Sequence, residues 1–117
     1  MKKWNMLLIR TDNKIIPVEI SQNIEQGLNE MYERIGCDTI DIARLDANSA
    51  MVVDDMGLFD GAHFNGIASV LYGHALYGNA IVAGIGQDEY NDGDILIDTP
   101  QKWIDLIYEL ADSFSWQ

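Results

Sequence analysis

The sequence predicts an α+β domain: a mainly antiparallel sheet with a short middle helix and a C-terminal amphipathic helix packed on it. Three observations carry this. Strand-like segments come in strand-strand-helix-strand-strand order, and the neighbours are joined by turn formers. Two segments show apolar residues at helical rather than alternating spacing. A final segment opens on Thr99-Pro100 and keeps a helical apolar stripe to its end. At 117 residues, without a linker or an internal repeat, the chain is expected to form one domain over 1–117.

The elements follow in order. Leu7–Arg10 and Ile15–Ile20 read as strands around the turn Thr11-Asp12-Asn13-Lys14. Pro17 lacks a backbone donor, which places the second strand at an edge. Ser21 is the expected N-cap of a helix with Ile24, Leu28, Met31 and Ile35 on its core face, and Gly36 is its stop. Thr39–Leu45 alternates, with Ile40 and Ile42 expected inward and Asp41 and Ala43 outward. The turn Asp46–Ser49 leads into a fourth strand over Ala50–Val53, hairpinned to the third. Asp54–His63 reads as a loop. Asn65 caps a short helix to Tyr72, with Gly73 as its left-handed end and Ile67, Val70 and Leu71 facing the core. Short strands follow at Asn79–Ile85 and Ile95–Ile97. In the last helix, Thr99 is the expected cap, and Trp103, Ile107, Leu110, Ala111 and Phe114 form the buried stripe.

Charge is the strongest global signal, because nineteen acids stand against seven bases for a net −12. The excess lies almost entirely after residue 44: from residue 45 onward, twelve acids face Lys102 alone. Such a field repels nucleic acid and anionic membranes and favours basic partners. No apolar run approaches the ~20 residues that span a bilayer. One cysteine, Cys37, excludes an intramolecular disulfide and suits a reducing compartment, so a cytoplasmic location is expected.

Motifs that would carry chemistry are sparse. The acidic run Asp88-Glu89-Tyr90-Asn91-Asp92-Gly93-Asp94 resembles a calcium loop at Asp92 and Gly93. It fails where ligands are needed, with Tyr90 at the third position and Thr99 at the twelfth. Gly84-x-Gly86 follows a strand but runs into acids rather than a helix N-terminus, so it does not cradle phosphate. His63 and His74 match no zinc spacing. No metal or cofactor is expected and no catalytic residue is assigned. Tyr72-Gly73-His74-Ala75-Leu76-Tyr77-Gly78 sets two tyrosines beside glycines, a stacking surface for a ligand through Tyr72, His74 and Tyr77.

Met51-Val52-Val53-Asp54-Asp55-Met56-Gly57-Leu58, then Asn65-Gly66-Ile67-Ala68-Ser69-Val70-Leu71-Tyr72-Gly73, then Ile81-Val82-Ala83-Gly84 together resemble a known family. It consists of short phage, plasmid and mobile-element proteins described only as a domain of unknown function. The resemblance covers roughly residues 7–97 and leaves the last helix outside. It implies a host cytoplasm and a mobile-element gene, and brings no activity to any residue.

The leading expectation is therefore a non-enzymatic acidic binding protein of phage or mobile-element type. It would act on a basic host or element-encoded protein through Asp88, Glu89, Asp92 and Asp94, as an inhibitor or a nucleic-acid mimic. It would not bind nucleic acid or membrane directly. The alternative is a small-ligand binding or sequestering protein using Tyr72, His74 and Tyr77, at a pocket that a homodimer could complete. A hydrolase built on His63, His74 and Asp60 ranks last.

Overall fold

A computed structural model describes residues 2–87 and 93–114. Its strands are β1 (Lys3–Ile9), β2 (Ile15–Ser21), β3 (Ile40–Asp46), β4 (Ser49–Asp54), β5 (Ala80–Gln87) and β6 (Asp94–Ile97). Its helices are α1 (Ile24–Ile35), α2 (Gly66–Tyr72) and α3 (Gln101–Phe114). The strands form one antiparallel sheet in the order β2-β1-β5-β4-β3, with β6 alongside the second half of β5. The predicted α+β class and its antiparallel sheet are both present.

Both faces of the sheet are covered, and this explains the unbroken apolar runs in the three inner strands. Alternate residues of Met6–Ile9, Ala50–Val53 and Ala80–Ala83 point to opposite layers, so neither set can be polar. Leu7, Ile9, Met51, Val53, Ala80 and Val82 pack with Ile67 and Ala68 of α2 and Ile107 of α3. Met6, Leu8, Val52, Ile81 and Ala83 pack with Met31 and Ile35 of α1. Pro17 lies on the edge strand β2 opposite Leu7, where its missing donor costs no ladder bond.

Several expected contacts are corrected. Asn23, not Ser21, caps α1: its side chain accepts from Gln26 N–H at 3.0 Å, while the Ser21 hydroxyl accepts from Asn23 N–H. Ile24 is 67% exposed and Leu28 also reaches solvent, because only the later turns of α1 lie over the sheet. These two side chains instead border an open groove of about 790 Å³ with Trp4, Met31 and Leu96. On the edge strand β3, Ala43 is buried and Ile42 exposed, since Ala43 faces the two-helix layer and Ile42 faces the side that α1 leaves uncovered. In α2 the buried partner of Ile67 is Ala68, and Val70 points outward.

Thr99 does not cap α3. Its hydroxyl donates to the Val82 carbonyl at 2.6 Å and accepts from Leu7 N–H at 3.1 Å. Its own N–H donates to the Asn5 carbonyl, and the Asp98 carboxylate accepts from Asn5 N–H at 2.6 Å. Strands β1 and β5 pair directly only over Leu7–Ile9, and below that point Asp98 and Thr99 complete the hydrogen bonding. The helix begins one residue later, with the Pro100 carbonyl accepting from Trp103 and Ile104.

Candidate functional site

The connection between β4 and α2 is a built loop rather than a loose one. Asp54 closes its first turn: its carboxylate accepts from Met56 N–H at 2.9 Å and its carbonyl accepts from Gly57 N–H. Asp60 N–H then donates to the Met56 carbonyl, and Ala62 N–H to that of Gly57. The far end is pinned to the segment after α2. Phe64 bridges to Tyr77, Gly78 N–H donates to the His63 carbonyl, and Asn65 N–H donates to the Leu76 carbonyl. Gly57 packs so tightly here that a Cβ would lie 2.5 Å from the Tyr77 carbonyl oxygen.

This fixed backbone holds bulky apolar side chains in water. Phe59 is 81% exposed, Leu58 61%, Phe64 52%, and Met56 is exposed as well. The Phe64 ring stands edge-on to Tyr77, with centroids 5.8 Å apart. Carboxylates gather at the same end of the sheet. Asp55 N–H donates to the Thr39 carbonyl, which joins the loop to the connection between α1 and β3. The Cys37 thiol in that connection is pushed up, first by burial and then by Asp54, with smaller contributions from Asp38 and Asp60. Cys37 is therefore held as the neutral thiol, the unreactive form.

None of these acids is in an ion pair among the described residues, as is also true of Glu19, Glu25, Glu33, Asp41, Asp98, Asp105 and Glu109; what sets them apart is that they gather at one end. Elsewhere Glu30 pairs with Lys3, Asp12 with Arg10, Asp94 with Arg44 and Asp46 with Lys102. Among the described residues, Asp38, Asp54, Asp55 and Asp60 have no ion-pair partner. Their end of the molecule combines uncompensated negative charge with exposed apolar side chains.

Of the residues singled out in the sequence, Asp94 is exposed at the opposite end of the sheet, 3.5 Å from Arg44. Asp88, Glu89 and Asp92 lie outside the described residues. Tyr72 and His74 meet edge to face at 5.7 Å, whereas Tyr77 turns to Phe64 instead. The groove beside α1 and a smaller cleft near Arg10 and Glu33 include none of these three. Among the described residues, no three His, Cys, Asp or Glu side chains come together closely enough to hold a metal. No helix among them is long and apolar enough to cross a membrane.

In the sequence, each residue of this candidate loop reads as ordinary turn material. One signal was present: Met56-Gly57-Leu58-Phe59-Asp60-Gly61 places adjacent bulky apolar residues in a segment with neither helical nor strand periodicity.

No protein of curated function matches the chain. Among solved structures, the crystal structure of the small RNA methyltransferase HEN1 is similar, with a TM-score of 0.61 and 20% identity over 84% of this chain. The matched region is 15% of the methyltransferase, so the likeness is one of fold, to a fraction of that larger protein. A family profile matches residues 1–107, which extends the resemblance seen in the sequence back to the first strand and on into α3. The chain belongs to that family, the domain of unknown function DUF3846.

Proposed function

We propose that this protein is a non-enzymatic acidic binding protein whose partner is a basic protein of the cytoplasm in which it is made. The observation that supports the reading is the gathering of Asp38, Asp54, Asp55 and Asp60, none of them ion-paired among the described residues, at one end of the sheet in a chain of net charge −12. Carboxylates held together without counter-ions repel one another, and a cationic partner relieves that repulsion while gaining steering from the whole-protein field. The phage or mobile-element setting and an inhibitory role belong to the same proposal. The arrangement favours a localised acidic surface over mimicry of a nucleic-acid backbone by the whole domain, because Asp46 and Asp94 are already paired with cations.

The test is capture of partners by the tagged chain, at low and at raised salt, beside an Asp38→Asn/Asp55→Asn/Asp60→Asn variant. A basic protein held at low salt, released by salt and poorly held by the variant supports the reading. Capture indifferent to both salt and the substitutions refutes it.

A further inference from the structure

We infer that the loop from Met56 to Phe64 is a docking surface for a cationic amphipathic segment of a partner protein, one with an apolar face flanked by Lys or Arg. The inference rests on the acidic-binding reading and adds to it the anchor and the form of the partner.

The loop's own geometry is the first argument. Exposed Leu or Phe side chains scattered singly are ordinary, but here Met56, Leu58, Phe59 and Phe64 are exposed together on one short segment. Their backbone is held by the Asp54 turn, by the Asp60–Met56 and Ala62–Gly57 hydrogen bonds and by the Phe64–Tyr77 bridge. A loop ordered before binding loses little conformational freedom on binding, and this is how a small apolar surface gains affinity. Bulky aromatic residues surrounded by polar ones are also the usual anchors of an interface.

Charge then selects the occupant. Asp54, Asp55 and Asp60 belong to or border the same loop, and Asp38 faces it across Cys37. No base pairs with these carboxylates among the described residues: Arg44 is engaged by Asp94 and Lys102 by Asp46, and Arg34 in the last turn of α1 makes no ion pair with them. A second copy of the chain would bring one acidic rim against another, and an anionic lipid surface would meet the same repulsion. An apolar face flanked by cations satisfies both features at once. The groove beside α1 is different, since Lys2 and Asp94 both border it and no charge class is selected there.

The probe is a synthetic Leu/Lys amphipathic helix, titrated into the full chain by calorimetry. It is compared with the same helix carrying Glu for Lys and with a Lys-rich peptide that has no apolar face. Amide shifts are mapped by NMR in parallel. The Leu/Lys helix is expected to bind alone among the three, shifting amides over residues 55–65 and near Tyr77. Leu58→Ser/Phe59→Ser, at exposed positions and with unchanged circular dichroism, should weaken it by about tenfold or more. Asp38→Asn/Asp60→Asn should instead flatten its salt dependence.

Binding that survives Leu58→Ser/Phe59→Ser, or that maps to Ile24 and Leu28, overturns the docking surface and leaves the acidic-binding reading intact. Failure of every cationic peptide to bind overturns both. Concentration-dependent self-association lost in Leu58→Ser/Phe59→Ser would assign the loop to a second copy and overturn the cationic partner.

Discussion

The Asn65 side-chain amide donates to the Ile9 carbonyl at 3.0 Å, tying the first turn of α2 to the end of β1. The same amide donates to the Gly78 carbonyl at 2.9 Å, and its oxygen accepts from Ala68 N–H. This side chain, fully buried, thus satisfies one strand, one loop and one helix end. Asn65→Ala removes a buried hydrogen bond from all three groups and should cost about 3 kcal/mol or more, read by urea denaturation. Asn65→Asp keeps the cap but sets a carboxylate against two carbonyls. It should be destabilised at neutral pH and partly recovered in acid, where a protonated carboxyl donates.

Thr99 plays the corresponding part at the other end of the β1–β5 pairing, bridging Leu7 and Val82 through one hydroxyl. Thr99→Val preserves shape and removes both hydrogen bonds, for an expected loss of about 2 kcal/mol in the same measurement. Thr99→Ser keeps the hydroxyl and should lose clearly less. Equal losses in the two variants would place the effect in packing rather than in the strand junction.

Asp46 accepts from Lys102 at 2.6 Å and from Asn48 N–H at 2.8 Å, and its carboxyl is held down to about 2. Glu30 is lowered too, chiefly by Ser21 N–H at 2.7 Å and then by Lys3. A carboxyl lowered by folding stabilises the native state above its unfolded pKa of about 4, and that contribution disappears as pH falls through the folded value. Stability should therefore decline between about pH 4 and pH 2. Lys102→Met should raise the Asp46 midpoint in an NMR carboxyl titration and leave Glu30 where it is.

Gly57→Ala places a Cβ against the Tyr77 carbonyl, so the loop must shift. A stability loss of about 1–3 kcal/mol is expected, and with it weaker binding of the Leu/Lys helix even though every apolar side chain remains. Unchanged affinity in Gly57→Ala would show that the loop's shape does not matter to docking.

The sequence was most legible where one residue's local chemistry decides its place. Asn65 and Gly73 bound α2 as expected, Gly73 with φ 86°, and Pro17 marked an edge. It was less legible where a side chain could serve two masters. Thr99 has the signature of a cap, yet a hydroxyl that completes a strand junction is satisfied equally well. Ile24 and Leu28 carry correct helical periodicity, but periodicity cannot say how far a sheet extends beneath the helix. The acidic end was hidden for another reason: Asp38 and Asp54 are distant in sequence and meet only in the fold, through the pairing of Ile40 with Asp54 and the hydrogen bond from Asp55 N–H to the Thr39 carbonyl.

The position of β5 also governs how the protein can be assembled. The β1–β2 and β3–β4 hairpins each close locally, yet among the described residues they share no rung and β5 alone pairs with both β1 and β4. During synthesis, four strands and α1 leave the ribosome as two separate halves, each with apolar surface uncovered, until residues 80–87 arrive to join them. Joining depends on contacts between distant parts of the chain, which makes it slow relative to hairpin closure. The interval before β5 inserts is therefore when the chain is most exposed to aggregation or capture by a chaperone.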